Sequence, residues 1–409
     1  MPDNLHIGMF TNTYKPVLSG VVRSISSFRD ALTESGHNVF IFAQEARDYE
    51  DEEPFVYRYP SLEIPAYKYP MTIPVSRTID KIIPTLHMNV IHCHHPAGVG
   101  EVGVRKAQEL NIPAVFTHHT RYREYAQYVK LVPKNLSEKV IGSWLLDYMT
   151  RCQHIIVPSE PIKESLANSY GITERVTVMP TGIDLTPYKT ADGTAVRQKH
   201  NWGPDQTVII SLGRLADVKN WPLLLDAVEV VLQKHPDARF VLVGDGPERP
   251  SLEKKVAQMS VANRIEFVGR VPYEEVPAYL KAADLFCYAS VTETQGLVTL
   301  EALAAGLPVV AVDASGTSET VEDGVDGILT PEDSQALAEG MDKLLSDQDL
   351  YRRMQKAALQ KAADWDINVL TQKLLDIYAQ AAADKKDGRY VQAAKADDYF
   401  SLNWRKFFR

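Results

Sequence analysis

Short apolar, β-branched runs alternate with helical patterns along most of this chain. In the first half the runs are LHIGMFT (5–11), NVFIFA (38–43), VIHCH (90–94), AVFTH (114–118), HIIVPS (154–159) and VTVMP (176–180). In the second half they are TVIISLG (207–213), RFVLVGDG (239–246), RIEFVGR (264–270), DLFCYA (284–289) and PVVAV (308–312). Most are near-continuous rather than alternating, which predicts strands covered by helices on both sheet faces. Strand–helix–strand alternation predicts parallel sheets with right-handed crossovers. The pattern restarts near Thr207, after the polar stretch KTADGTAVRQKH. We therefore expect an α/β protein with two doubly wound domains, 1–190 and 191–365. Ligands of such sheets bind beyond the carboxyl ends of the strands, which predicts a main site where the two domains face each other across a cleft. After Leu329 the chain reads as helical, and residues 366–409 read as a C-terminal helix followed by the ending YFSLNWRKFFR.

Composition narrows the class. A chain of 409 residues exceeds one ordinary core, and 45% apolar with 24% charged residues is normal for a globular protein. The net charge of −9 argues against nucleic acid as a partner. Cys93, Cys152 and Cys287 are widely separated, without a CxxC pair, which fits a reducing, cytoplasmic compartment. The start MPDNLHIGMF lacks the pattern of a signal peptide, and no apolar run approaches the ~20 residues of a membrane span.

Several loops carry candidate chemistry. Ser19 and Gly20 fall where the first strand turns into a helix, either as an anion site built from free backbone N–H groups or as a plain turn. No GxGxxG accompanies them, which counts against a standard NAD site. In SLGRLADVKN, Arg214 and Lys219 flank a loop opened by Gly213, as a diphosphate clamp or a solvated basic loop. VGDGPE is Gly-rich and follows a strand, either as a backbone approach to a ligand or as a tight loop. His118 and His119 end a strand, where a histidine either serves a site or is structural. In HCHH only His92 and His94 share a face, and no second ligand group stands at metal spacing, so we expect no metal. DWD (364–366) lies between helices, as a cap or turn rather than a strand-end metal motif. Finally, ETQGLVTLEALAAG places Glu293 before a helix start and Glu301 two turns into it, with Thr294 and Gly296 leaving the helix N-terminus open. The two acids either face one cleft or serve as a cap and a partly exposed surface residue.

The segment ETQGLVTLEALAAGLPVVA resembles the E-x7-E motif of retaining glycosyltransferases with the two-domain GT-B fold. GRLADVKN, VLVGDGPE, IEFVGRVPYEEVPAYLKAADLF, IIVPSEPIKESL and VMPTGIDLTPY fit the same family, over residues 5–380 or so. The resemblance implies an N-terminal acceptor-binding domain, a C-terminal nucleotide-sugar-binding domain and C-terminal helices returning to the first. It assigns Glu293 to the donor sugar, with the backbone at Gly296 and Leu297, and Glu301 to the ribose. Arg214 and Lys219 would neutralise the departing diphosphate, with Gly20 bringing backbone N–H groups to it. Arg270 and Val271 would border the base, and His119 would lie beside the sugar; the doubled histidine leaves open whether His118 takes that place. Such chemistry needs no cofactor and no metal: the substrate is a nucleotide sugar, UDP-glucose first, with UDP-galactose and GDP-mannose next.

The stretch HTRYREYAQYVKLVPKNLSEK resembles a segment of bacterial enzymes that glucosylate diacylglycerol, departing from it at Gln127, where histidine would be expected. Its Arg121, Arg123, Lys130, Lys134 and Lys139 interleave with Tyr122, Tyr125 and Tyr128, and the chain ends with Trp404, Arg405 and Lys406 among phenylalanines. Basic residues mixed with aromatics suit an anionic membrane interface, or else a charged helix and a docked tail. The expectation is a hexosyltransferase at the inner face of the cell membrane, moving an α-glucosyl group to a lipid such as 1,2-diacylglycerol. The alternative is a soluble transferase acting on a sugar, polyol or sugar phosphate. Oligomeric state is open.

Overall fold

The computed structural model describes residues 4–17, 19–62, 71–119, 134–293, 295–314 and 316–393. The chain divides into two compact units: Met1–Gly182 with Asn368–Arg409, and Ile183–Ile367. The first holds a seven-stranded sheet built from β1 (His6–Phe10), β2 (Asn38–Gln44), β3 (Val56–Tyr59), β6 (Val90–Cys93), β7 (Ala114–Thr117), β8 (His154–Val157) and β9 (Val176–Val178). Its order is β3-β2-β1-β6-β7-β8-β9, and every pairing is parallel. A small antiparallel pair, β4 (Ser61–Leu62) and β5 (Met71–Thr72), stands apart.

The second unit holds β10 (Thr207–Leu212), β11 (Ala238–Val243), β12 (Ile265–Gly269), β13 (Leu285–Tyr288), β14 (Val309–Val312) and β15 (Gly327–Thr330) in the order β12-β11-β10-β13-β14-β15, again all parallel. Why these runs read as continuously apolar is visible in the packing. Phe286 and Tyr288 join one core cluster while Leu285 and Cys287 join another, and β14 divides in the same way. Successive side chains point to opposite faces, and both faces are buried.

The edge strands β3 and β15 and the pair β4–β5 go beyond the strands expected from the sequence. VYRY contains an arginine and GILT is short, so neither shows the uninterrupted apolar run of a central strand. The polar stretch after residue 185 is helical, as α6 (Thr186–Thr190) and α7 (Gly193–Lys199), and both helices pack on α10 (Val276–Lys281) within the second unit. DWD closes α14 (Gln348–Asp364), with Trp365 as its C-cap. The last helix among the described residues, α15 (Ile367–Lys386), contributes its residues from Asn368 onward to the first unit. All three cysteines are buried and free.

In each sheet the chain moves outward to one side and then returns to the other side of its first strand. The reversals fall between β1 and β6 and between β10 and β13. Diverging loops leave a crevice at such a point, where ligands of open α/β sheets bind.

Candidate functional site

At the β10/β13 reversal two loops meet. One leads from β10 to α8 (Trp221–Lys234) and carries Gly213, Arg214 and Lys219; the other leads from β13 to α11 (Leu297–Ala304) and carries Ser290, Glu293 and Gly296. The Lys219 ammonium is ion-paired with the Glu293 carboxylate. The same carboxylate oxygen accepts hydrogen bonds from the Tyr288 hydroxyl at 2.7 Å and the Ser290 hydroxyl at 2.9 Å. The Thr292 hydroxyl donates to the Val218 carbonyl at 3.2 Å, tying the loops together a second time. The side chains of Lys219 and Glu293 are 21% and 17% exposed, so their attraction is less screened than that of a surface pair.

Burial alone would push the Glu293 carboxyl upward. The Lys219 charge and the hydrogen bonds from Lys219, Tyr288 and Ser290 outweigh it and hold the carboxyl below its ordinary value. Burial first, and then the Glu293 charge, push the Tyr288 hydroxyl far up, so it remains a donor. Because the folded-state value of Glu293 is lowered, its stabilisation is complete above the unfolded value of roughly 4.3 and fades as pH falls through the folded one. Melting curves should show Glu293→Gln less stable than the native chain at pH 7, with the gap closing toward pH 3; a pH-independent gap would contradict this coupling.

The other candidates of this unit surround the pair. Arg214 is exposed, and its guanidinium has no hydrogen-bond or ion-pair partner among the described residues. Its carbonyl accepts from the Trp221 indole at 3.0 Å, which anchors the loop. Arg270 is exposed at the end of β12, and Val271 packs on the core. Gly296 adopts a left-handed φ of 54°, and α11 starts only at Leu297. Glu301 therefore lies one turn into the helix, not two, and it is buried at 3% exposure rather than partly exposed. A Cβ at Gly296 would stand 2.7 Å from the Gly316 carbonyl oxygen, so the strand-end loops of β13 and β14 touch backbone to backbone. Thr294 lies outside the described residues.

In the first unit, the Ser19 side chain caps α1 (Gly20–Glu34) by accepting from Val22 N–H at 3.3 Å. Gly20 is exposed with nothing within 4 Å of a notional Cβ, so protein packing alone does not demand a glycine. Of the doubled histidines, His118 is buried edge-on against Phe116, while His119 is half-buried and meets His94 at 2.9 Å. Tyr288 and Ser290 are neighbours that sequence reasoning missed, and His94, considered there only as a metal ligand, was not connected with His119. Beside the β1/β6 reversal lies a cavity of about 680 Å³, lined among others by Asn12, Tyr14, Gln44, Arg47, Ser61 and Gly98. Arg121, Tyr122, Arg123, Tyr125, Lys130, Trp404, Arg405 and Lys406 lie outside the described residues. No helix among the described residues is long and apolar enough to cross a membrane.

Comparison with known proteins agrees with this architecture. The model of glycosyltransferase family 4 matches residues 18–187, and that of glycosyl transferases group 1 matches residues 192–361. An alpha-monoglucosyldiacylglycerol synthase of Acholeplasma laidlawii is 33% identical over 338 residues, covering 80% of this chain and 84% of that protein. A protein of the same description from Streptococcus pneumoniae is 28% identical over 408 residues, covering 97% and 87%. Among solved structures, Anabaena Alr3699/HepE in complex with UDP superposes with a TM-score of 0.71 at 20% identity, covering 91% of this chain and 99% of that one.

Proposed function

This chain belongs to the GT-B glycosyltransferases of the group 1 and family 4 type and is a hexosyltransferase; on that premise we propose that it moves an α-glucosyl group from UDP-glucose to 1,2-diacylglycerol with retention of configuration. The observation that carries the reading is the Lys219–Glu293 pair, with Tyr288 and Ser290, at the reversal point of the second sheet. Each member of the pair suits one part of the donor. The ammonium meets the diphosphate oxygens, and the carboxylate accepts hydrogen bonds from sugar hydroxyls. Arg214, exposed on the same loop, adds a second cation. Glu301 takes the ribose hydroxyls, the Gly296–Leu297 backbone supports the sugar, the half-buried His119 rather than the buried His118 lies beside that sugar, Arg270 and Val271 border the base, and Ser19 and Gly20 offer backbone N–H groups to phosphate.

As the bond from the anomeric carbon to the diphosphate oxygen breaks, negative charge grows on the leaving group. Fixed cations stabilise that charge without having to reorganise during the step. The acceptor hydroxyl attacks from the leaving-group face, and its proton passes to the departing phosphate oxygen. The carbon–oxygen bond lost to UDP is thus replaced by one to the acceptor, and no carboxylate nucleophile is needed.

Two considerations support a lipid acceptor. The two relatives described above are named for glucosyldiacylglycerol synthesis. The cavity at the first sheet's reversal combines Gln44, Ser61 and the charged Arg47 and Arg58 with Pro16 and Val17, which suits a polar head group next to apolar chains. The basic and aromatic residues of 121–130 and 404–406 would hold the enzyme at an anionic membrane surface. The test uses the full-length chain with UDP-glucose, UDP-galactose or GDP-mannose and diacylglycerol in phosphatidylglycerol liposomes. α-Glucosyldiacylglycerol from UDP-glucose, and flotation that deletion of residues 399–409 weakens, are the expected results. Transfer only to a sugar, polyol or sugar phosphate overturns the lipid reading, a β-linked product overturns retention, and no flotation of the full chain overturns membrane binding.

A further inference from the structure

The carboxyl ends of the neighbouring strands β6 and β7 gather His92, His94 and His119 into one row. His92 is 1% exposed, and both its ring nitrogens are engaged: Nδ1 with the Tyr378 hydroxyl at 2.8 Å and Nε2 with the Thr117 hydroxyl at 2.6 Å. Its ring lies 4.2 Å from that of His94. His94, also 1% exposed, sets Nδ1 2.9 Å from His119 Nε2, with the two rings stacked at 5.2 Å. His94 Nε2 is buried without a hydrogen-bond partner among the described residues. His119 Nδ1 makes no hydrogen bond to a described residue, and His119 is the most accessible ring of the three.

The row is neutral at ordinary pH. Burial pushes His92 down to about 3, and burial followed by the neighbouring histidines pushes His94 and His119 well below their usual value. A neutral imidazole carries a single N–H, and the His94–His119 contact needs one proton between two nitrogens. If His119 donated it, the proton of His94 would have to reside on Nε2, as a buried N–H without an acceptor among the described residues. If His94 donates it, the atom left over is only an unprotonated acceptor. Buried donors without acceptors are the rarer fault, so His94 Nδ1–H donates to His119 Nε2.

We infer that His94 is a positioning residue that fixes His119 as its Nδ1–H tautomer, so that His119 presents a hydrogen-bond donor, not a base, to the donor sugar. This rests on the proposed placement of His119 beside the sugar. A donor there can hold a sugar oxygen while leaving the leaving-group phosphate as the proton acceptor. His92 packs against His94 with its ring tilted by 33°, and Thr117 and Tyr378 hold His92 in turn.

The tautomer is read from the 15N shifts of labelled histidine in the full-length chain, independently of any activity. The native protein and His94→Asn, whose side-chain amide can still donate, should both show His119 protonated on Nδ1. His94→Asp, which can only accept, should move that proton to Nε2. With UDP-glucose and diacylglycerol liposomes, His94→Asp and His94→Leu should lower kcat about 10–100-fold with little change in KM, and His94→Asn should recover most of the loss. His119 protonated on Nε2 in the native chain overturns the inference, even if His94→Asp does not fold. Equal kcat in His94→Asn and His94→Leu also overturns it. Undiminished transfer by His119→Ala instead overturns the placement of His119 at the sugar.

Discussion

Lys219→Ala should lower kcat for sugar transfer about 10²–10³-fold while the chain still melts cooperatively. A cation about 4 Å from a developing phosphate charge contributes roughly 4 kcal/mol at an effective dielectric constant near 20. Every 1.36 kcal/mol corresponds to about tenfold in rate. The part of this interaction already present with bound donor shows in KM, so the loss in kcat falls short of the full amount. Glu293 loses its counter-ion in the variant but keeps the Tyr288 and Ser290 hydroxyls, so the loops remain connected. Stopped-assay kinetics with UDP-glucose and a thermal melt decide the matter. A loss smaller than about fivefold, or one fully accounted for by unfolding, would remove Lys219 from the leaving-group site.

Gly244→Ala should destabilise the second unit by about 3 kcal/mol or more and raise the KM for the donor. Gly244 has a φ of 143°, a conformation that L residues rarely adopt. A Cβ there would lie 1.9 Å from the Gly213 carbonyl oxygen. Neither backbone can easily retreat: Gly213 N–H donates to Val243 at 3.0 Å, and Gly244 N–H donates to Gly269 at 2.9 Å. Overpacking and backbone strain therefore add. Because Gly213 opens the loop that carries Arg214 and Lys219, its displacement moves both cations. Urea titration checks the stability and initial-rate kinetics check the KM; a variant as stable as the native chain would show that the contact relaxes freely.

The glycine contact illustrates what was legible in advance. VGDGPE read as a tight loop or a ligand approach, and nothing local distinguished the two. The structure packs it against the neighbouring strand-end loop, where Leu215 N–H donates to Asp245 at 3.0 Å and Glu248 N–H donates to Leu215 at 2.9 Å. The acids of the E-x7-E segment behaved similarly. Their spacing and the family resemblance named Glu293 and Glu301, but Tyr288 and Ser290, which support Glu293, gave no local signal. Two of the four edge strands escaped for a different reason: VYRY of β3 carries an arginine and GILT of β15 is short, so neither shows an uninterrupted apolar run, whereas the edge strands β9 and β12 lie within the expected runs VTVMP and RIEFVGR.

By itself, the order of residues determined the strand–helix alternation, the two parallel sheets and the loops that carry the candidate chemistry. Period-two alternation also put His92 and His94 on one face, where their rings are 4.2 Å apart. Only the tertiary structure decided which groups meet. Lys219 and Glu293 are 74 positions apart and were assigned separately to phosphate and sugar, yet in the structure they bind each other. His94 found His119 through the parallel register of β6 and β7. The physical reason is that hydrophobic periodicity is a local property, written in each element by the face it must bury. The partners of a polar group depend instead on strand order, register and the water that packing excludes, and these exist only once the distant segments have come together.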